Sequence, residues 1–292
     1  MHTIGTHDGV FHTDEAMAVA TVLFVHPNAT IVRTRDPKVL ATCEILIDVG
    51  GEYDPSRGRF DHHQKGGAGE YEDGIKLSSF GLVWKEYGEQ VCGDAVVAEE
   101  IRRRLVAPVD ARDNGQKPVA PPNSIPTIAD MIADMNASWC EDLVEDATFL
   151  QAVGAATFVL KRMIVHAVSE RRAAQLVRKA LEARNEDVPH GILVLDQDMP
   201  WHKVVVEEAP SVRFVVMPNR AKSEWCAWGV PVALGAQSVR KTFPKEWGGL
   251  RDEALADVTG VGDAKFSHNN GFVAIARSKE GAVTLATRAI DW

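Results

Sequence analysis

Three short stretches of this 292-residue chain are crowded with side chains that bind metals. The first is Thr6-His7-Asp8-Gly9-Val10-Phe11-His12-Thr13-Asp14-Glu15. The second is Asp48, a carboxylate closing the apolar run Ile45-Leu46-Ile47. The third is Asp61-His62-His63, just after Arg59-Phe60. Asp110 and Asp113, ahead of Asn114-Gly115, make a fourth and weaker group. Imidazole suits borderline metals and carboxylate suits hard ones. A cluster mixing several His with several Asp therefore favours Mn²⁺, with Zn²⁺, Fe²⁺ or Mg²⁺ as alternatives. Two ions about 3.5–4 Å apart need a bridging carboxylate, and Asp48 is best placed to be one. Such a pair draws the pKa of a shared water from about 16 toward about 7 and clamps phosphoryl oxygens as charge moves onto the leaving group. The chemistry expected is phosphoester hydrolysis by a hydroxide activated between two divalent cations.

Each residue taken singly has a plainer use. Asp14 and Glu15 open what reads as a helix, where acids complement the dipole. Asp113-Asn114-Gly115 is a good turn sequence by itself. What singles these residues out is their recurrence beside one another, each time after an apparent strand.

The elements that must position them follow from hydrophobic patterning. Residues 2–6 read as a strand, Thr13 onward as a helix running to Pro27, 29–33 as a second strand, 36–41 as a helical turn and 44–49 as a third strand. Strand, helix and strand at short intervals indicate a parallel α/β sheet, whose ligands lie beyond the carboxyl ends of the strands. The glycine- and acid-rich stretch 66–74 reads as a mobile loop. Helices follow over 78–91 and 94–106, then a turn over 108–115 and a proline-rich excursion over 117–126. From 141 to about 185 the pattern is helical with hardly a break. Beyond Pro189 it changes to short strands (191–195, 203–206, 212–217, 225–232 and 272–276) with helices over 251–257 and 279–287. The expected organisation is α/β: a metal-binding catalytic domain over 1–145, a helical connector over 146–188, and a smaller mixed α/β domain over 189–292.

The motifs also carry a resemblance. Asp61-His62-His63 after strand-end Asp48, with His7, His12 and Asp14 upstream, resembles the DHH phosphoesterase superfamily. More closely, Gly5-Thr-His-Asp-Gly-x-Phe-His-x-Asp-Glu-Ala16, Asp48-Val-Gly-Gly and Arg59-Phe-Asp-His-His-Gln64 are similar to the melanocyte proliferating gene family, also filed as metal-dependent protein hydrolases, whose members include 3′–5′ RNA exonucleases. The likeness continues at Val109–Gly115, around Asn136 and Trp139, at Leu250-Arg-Asp-Glu253 and at Phe266-x-His268-x-x-Gly-Phe272. It implies a DHH-type parallel-sheet domain, a smaller C-terminal domain and an active site in the cleft between them. It implies His7, His12, Asp14, Asp48 and His62 as metal ligands, with Asp113 or Asp110 completing the set. His63 would face the scissile phosphate, and Asp61 would orient the imidazole beside it. His12 departs from the wider superfamily, where an aspartate is expected.

A phosphate-bearing substrate needs cations and backbone N–H donors. Arg213, Arg240 and Lys241, with Arg220 and Lys222, are the candidate cations of the C-terminal half. The turn His268-Asn269-Asn270-Gly271 is suited to presenting amides. Trp201, Trp225 and Trp228 are candidates for base stacking or for the core. The partner expected is RNA or a short oligonucleotide. A small phosphoester or phosphoanhydride (pyrophosphate, a cyclic dinucleotide) and a non-catalytic, metal-binding regulatory role are the alternatives.

Composition sets outer bounds. A formal net charge of −9 argues against a protein that coats nucleic acid through its overall field. Cys43, Cys92, Cys140 and Cys226 lie far apart with no C-x-x-C pair, which suggests buried thiols in a reducing compartment. No stretch of about 18 continuous apolar residues occurs, and the first residues lack the basic and apolar regions of a leader. The expectation is a cytoplasmic protein with no membrane span and no readable oligomeric state.

Overall fold

The computed structural model describes residues 2–116, 124–141, 145–183 and 191–292. The chain divides into two compact units, Met1–Val168 and Ser169–Trp292. Both are mixed α/β, each with one five-stranded sheet.

In the first unit, β1 (Thr3–Thr6) leads to α1 (Thr13–Val25), β2 (Thr30–Arg33), a short α2 (Pro37–Leu40), β3 (Ile45–Ile47), β4 (Tyr53–Asp54) and β5 (Arg59–Phe60). The sheet order is β2-β1-β3-β5-β4. The β2/β1, β1/β3 and β3/β5 pairs are parallel, and β4 adds an antiparallel edge on β5. Ile4, Ile47 and Phe60 of the sheet are fully buried in one core with Met17 and Val19 of α1 and with Phe80, Leu82 and Val83 of α3 (Ser79–Cys92).

The stretch expected to be a mobile loop is instead held along its length. Tyr71 N–H donates to Ile75 O at 2.9 Å, Leu77 N–H donates to Gly69 O at 3.0 Å, and the Tyr71 hydroxyl donates to Asp110 at 2.8 Å.

The turn expected over 108–115 is mostly helix. α4 (Ala95–Ile101) passes through a π-turn at Arg102–Val106 into α5 (Ala107–Asp113). Pro108 falls directly after this π-turn, where Ala107 N–H reaches back five residues to Arg102 O, so the widened turn takes up a residue that has no N–H of its own. Asp110 and Asp113 are therefore three apart on a helix, on neighbouring sides of it. The sequence reading missed α6 (Ile128–Ala133); residues 117–123 of the proline-rich excursion lie outside the described residues.

α7 (Glu145–Glu182) is 38 residues long, and the division at Val168/Ser169 falls inside it. By length and composition it is the one helix among the described residues that could cross a membrane, yet 39% of the qualifying window is buried within the protein.

The second unit contains β6 (Ile192–Val194), α8 (His202–Glu208), β7 (Phe214–Pro218), β8 (Trp225–Gly229), α9 (Asp252–Thr259), β9 (Ala264–Ser267), β10 (Val273–Ala276) and α10 (Lys279–Asp291). Its sheet order is β6-β7-β8-β10-β9, and only β6/β7 is parallel. The strands alternate sides as their period of two requires. Phe214 and Val216 pack with Leu255 of α9 and Leu285 of α10, while Val215 and Met217 pack with Val204 and Val205 of α8 and Val177 of α7.

The expected strand over 203–206 is a correction. That β-branched run lies in α8, because Trp201, Val204 and Val205 bury at i, i+3 and i+4, a helical spacing.

Candidate metal centre

Parallel pairing brings the carboxyl ends of β1, β3 and β5 to one rim, and each is followed by a His or Asp side chain. His7 follows Thr6, Asp48 follows Ile47 and Asp61 follows Phe60. Asp48 is the hub. Its N–H still donates to Phe60 O at 3.1 Å, but its φ is +57°, a left-handed conformation unusual for a residue with a side chain. His7 Nε2 stands 3.3 Å from Asp48 Oδ2, His62 Nε2 3.3 Å from Asp48 Oδ1, and His63 Nδ1 3.5 Å from Asp48 Oδ1. The Ser79 hydroxyl at the start of α3 donates to Asp48 Oδ1 at 2.9 Å.

Neighbours set the orientation of each imidazole. His7 Nδ1 donates to Asp8 O at 2.9 Å, which leaves Nε2 as the inward nitrogen. His62 Nε2 is also 3.2 Å from Asp113 Oδ2, so the end of α5 reaches the strand rim. His63 is held from behind: its Nδ1 lies 2.8 Å from Asp61 Oδ1, and Asp61 Oδ2 accepts from Gly51 N–H at 2.6 Å.

α1 starts at the same rim. His12 is its N-cap by position but makes no side-chain cap bond, and Asp14 and Glu15 turn inward. Asp14 is 1% exposed, and neither of its carboxyl oxygens meets an N–H or O–H donor among the described residues. A buried, unpartnered carboxylate costs several kcal/mol. Here it faces a set of His and Asp donors, so the residues fit divalent cations. Donor atoms fall into three groups, each within 4.8 Å: His7/His12/Asp48, Asp48/His62/His63 and His12/Asp14/Asp113. Asp48 and His12 each belong to two of them.

Electrostatics without an ion shows the same strain. Burial, and then the charges of Asp48 and Asp113, push the Asp14 carboxyl well above the usual range. Burial lifts Glu15 to about 7 against the pull of His7, with which it forms an ion pair. Burial alone would lower His7, but Asp48 and Glu15 raise it to about 10. For Asp48, His62 and His7 overcome burial and hold the carboxyl far below its usual range.

Asp110 is left out of the cluster, and of the two helix acids only Asp113 belongs to a donor group. Asp110 Oδ1 accepts from the Ser78 hydroxyl at 2.5 Å and from Gly81 N–H at 3.0 Å, and Oδ2 accepts from Tyr71. It braces α3, α5 and the 66–77 segment. Three other residues belong to the centre without having been singled out. Glu15 had looked like a helix-start acid. Arg33, at the end of β2, lies 3.9 Å from Glu15 and donates to Gly9 O at 2.7 Å. Ser79 is the third. A second acid directly after Asp14, at the head of the apolar run Ala16-Met17-Ala18-Val19-Ala20, was the available signal for Glu15.

The candidates of the second unit gather at one end of its sheet, around the end of β9 and the starts of β7 and β10. Phe243 N–H donates to Gly271 O at 2.8 Å, which sets the His268–Gly271 turn beside Lys241 and Thr242. Gly271 has φ +65°, and a Cβ there would stand 3.0 Å from Phe243 O. Asn269 packs its amide against Gly249, and Arg213 is exposed at the start of β7. Arg240 is a correction. Its guanidinium donates to Ala209 O and Val212 O at 2.8 Å and to Val206 O at 2.9 Å, closing the end of α8 instead of facing a ligand. Trp201 is 1% exposed and belongs to the core; Trp225 and Trp228 are half-buried.

A strand rim lined with inward imidazoles and carboxylates defines an α/β protein with a candidate metal centre. Within that class the chain belongs to the MYG1 exonuclease family: the family described as "Uncharacterised protein family (UPF0160)" matches residues 3–290. Its relatives include the human MYG1 exonuclease, 34% identical over 97% of this chain and 84% of that protein. MYG1 protein C694.04c of Schizosaccharomyces pombe is 31% identical over 99% of this chain and 97% of that one. Among solved structures, the pGpG-specific phosphodiesterase PggH from Vibrio aligns over 99% of this chain and 100% of its own, with a TM-score of 0.35 and 11% identity, too low to bear on the fold.

Proposed function

We propose that the protein is a metal-dependent phosphodiesterase of the DHH type, a 3′–5′ exonuclease on RNA or short oligonucleotides that works with a pair of divalent ions, Mn²⁺ first. The observation that carries this reading is the sharing of Asp48 between two donor groups, beside a buried Asp14 whose carboxyl oxygens meet no N–H donor among the described residues. The exonuclease name of the human relative supports the reaction class. His7, His12, Asp14, Asp48, His62 and Asp113 would hold the ions. When bound, they supply an activated water and a positive clamp for phosphoryl oxygens.

The chain's own groups do the rest. Asp61 fixes His63 through Nδ1, so Nε2 of this 59%-exposed side chain remains free to donate to a phosphoryl or leaving oxygen. Asp8 O fixes the tautomer of His7, and Ser79 steadies Asp48. Lys241, Arg213 and the His268–Gly271 turn are the proposed substrate contacts.

The test is incubation of purified protein with Mn²⁺ and 5′-end-labelled oligoribonucleotides. The expected result is a ladder shortening from the 3′ end, abolished in His62→Ala and in Asp14→Asn. Absence of nucleotide release by wild type, or release undiminished in both variants, would overturn the reading.

A further inference from the structure

A cavity of about 250 Å³ opens beside the His12/Asp14/Asp113 donor group, wholly within the first unit. Its walls come from the segment leading into α1, from α5 and from the end of α6. They carry His12, Asp14 and Asp113, and one cation among the described residues, Arg112.

Charge says why a cation belongs there. Two divalent ions in the centre would meet three carboxylates, those of Asp14, Asp48 and Asp113. An attacking water that has lost its proton would cancel what positive charge is left. A phosphodiester brings a further negative charge, which moves onto the leaving oxygen as the bond breaks. The other arginine at the centre, Arg33, is already engaged. It is buried, with its guanidinium bonded to Gly9 O at 2.7 Å and to Asp146 at 3.1 Å.

Arg112 is placed differently. Its side chain is 31% exposed, and its Nη1 donates to Asp130 Oδ1. Asp130 is itself fixed by the cap of α6: its Oδ2 accepts from the Thr127 N–H at 2.7 Å and from the Thr127 hydroxyl at 2.6 Å. The guanidinium is thus anchored through one nitrogen, and its Nε and Nη2 meet no acceptor among the described residues. That free edge offers two parallel N–H donors, the fork that matches two oxygens of a phosphate.

We propose that Arg112 is a phosphate-binding residue of the centre. Its Nε/Nη2 edge takes the non-bridging oxygens of a phosphoryl group lying in this cavity, beside an ion held by His12, Asp14 and Asp113. The proposal rests on the phosphodiesterase reading and assigns the substrate's phosphate a contact within the first unit. A plain ion pair bracing α5 against α6 is the rival role, and it would leave phosphate affinity untouched.

The experiment titrates inorganic phosphate into the Mn²⁺-loaded protein by calorimetry. Wild type should bind it, and Arg112→Met should bind it about 10–100-fold more weakly with Mn²⁺ uptake unchanged. Arg112→Lys keeps the charge without the fork, so it should recover only part of the loss. A wild type that takes up Mn²⁺ but no phosphate overturns the proposal. So does an Arg112→Met protein with wild-type phosphate affinity. A variant that loses Mn²⁺ together with phosphate also overturns it, because bracing alone would then account for Arg112. Calorimetry needs no turnover, which separates the two readings. Phosphate binding without nucleotide release would sink the exonuclease reading alone. Nucleotide release by Arg112→Met at wild-type KM would sink this one alone.

Discussion

Asn136 grips the Phe11 peptide from both sides. Its Oδ1 accepts from Phe11 N–H at 3.0 Å, and its Nδ2 donates to Phe11 O at 2.8 Å, across 125 residues of chain. Phe11 immediately precedes His12, which belongs to two of the three donor groups. Asn136→Ala should therefore release the loop and weaken Mn²⁺ binding by about 10–100-fold, the usual cost of losing an outer support. Isothermal titration with Mn²⁺ checks it; unchanged affinity would show that α1 alone places His12.

Asp113 and Asp110 should part company on mutation. Asp113→Asn removes a donor beside His62 and is expected to abolish uptake of at least one ion. Asp110 is lifted to about 7 by burial, so its charged and neutral forms are close in free energy near neutrality. Asn mimics the neutral form, its amide oxygen accepting from Ser78 and Gly81 and its NH₂ facing a Tyr71 hydroxyl able to turn and accept. Asp110→Asn should keep metal stoichiometry and change stability by about 1 kcal/mol or less. Metal analysis and urea midpoints on the two variants give the comparison.

Gly81 is the residue α3 can least afford to enlarge. A Cβ there would collide with the Asp110 carboxylate and stand 2.8 Å from both Leu77 Cδ2 and the Tyr71 hydroxyl. Gly81→Ala should cost about 1–3 kcal/mol in urea unfolding and weaken metal binding through α5. A neutral effect on both would mean that the brace yields without moving Asp113.

Protons and metal should compete. Glu15 is raised to about 7, so it is partly protonated near neutrality in the ion-free protein, and Asp14 is shifted in the same direction. Placing cations in the centre expels these protons, so Mn²⁺ affinity should rise with pH through 7, by about one decade per pH unit for each proton released. Stability of the ion-free protein runs the other way. The folded value of Glu15 is raised, so its contribution is complete below about 4.5 and is lost as pH climbs through about 7. Melting curves at a series of pH values should slope downward over that window without metal, and Glu15→Gln should flatten the slope.

Much of the centre could be read in advance because its parts obey local rules. His7, Asp48 and Asp61 each follow a short apolar run, and the alternation of strand and helix places such residues at one rim. The parts that could not be read depend on distant partners. Asp110 and Asp113 were indistinguishable while their segment passed for a turn, because Pro108 and Gly115 are turn signals and the π-turn that prepares α5 leaves none. Lys203–Val206 passed for a strand on β-branching alone, without Trp201 in the count. Nothing near Arg240 announces that its partners are carbonyls of a helix some thirty residues earlier.

The left-handed backbone of Asp48 governs the choice of an inert protein for capturing bound substrate. Asparagine is among the few residues at ease in that conformation, so Asp48→Asn should remove the charge while leaving the peptide path intact. Alanine would remove the charge and also strain the turn, confounding a lost reaction with a bent scaffold. The quieter replacement is the one to take into crystallisation with an uncleaved oligonucleotide.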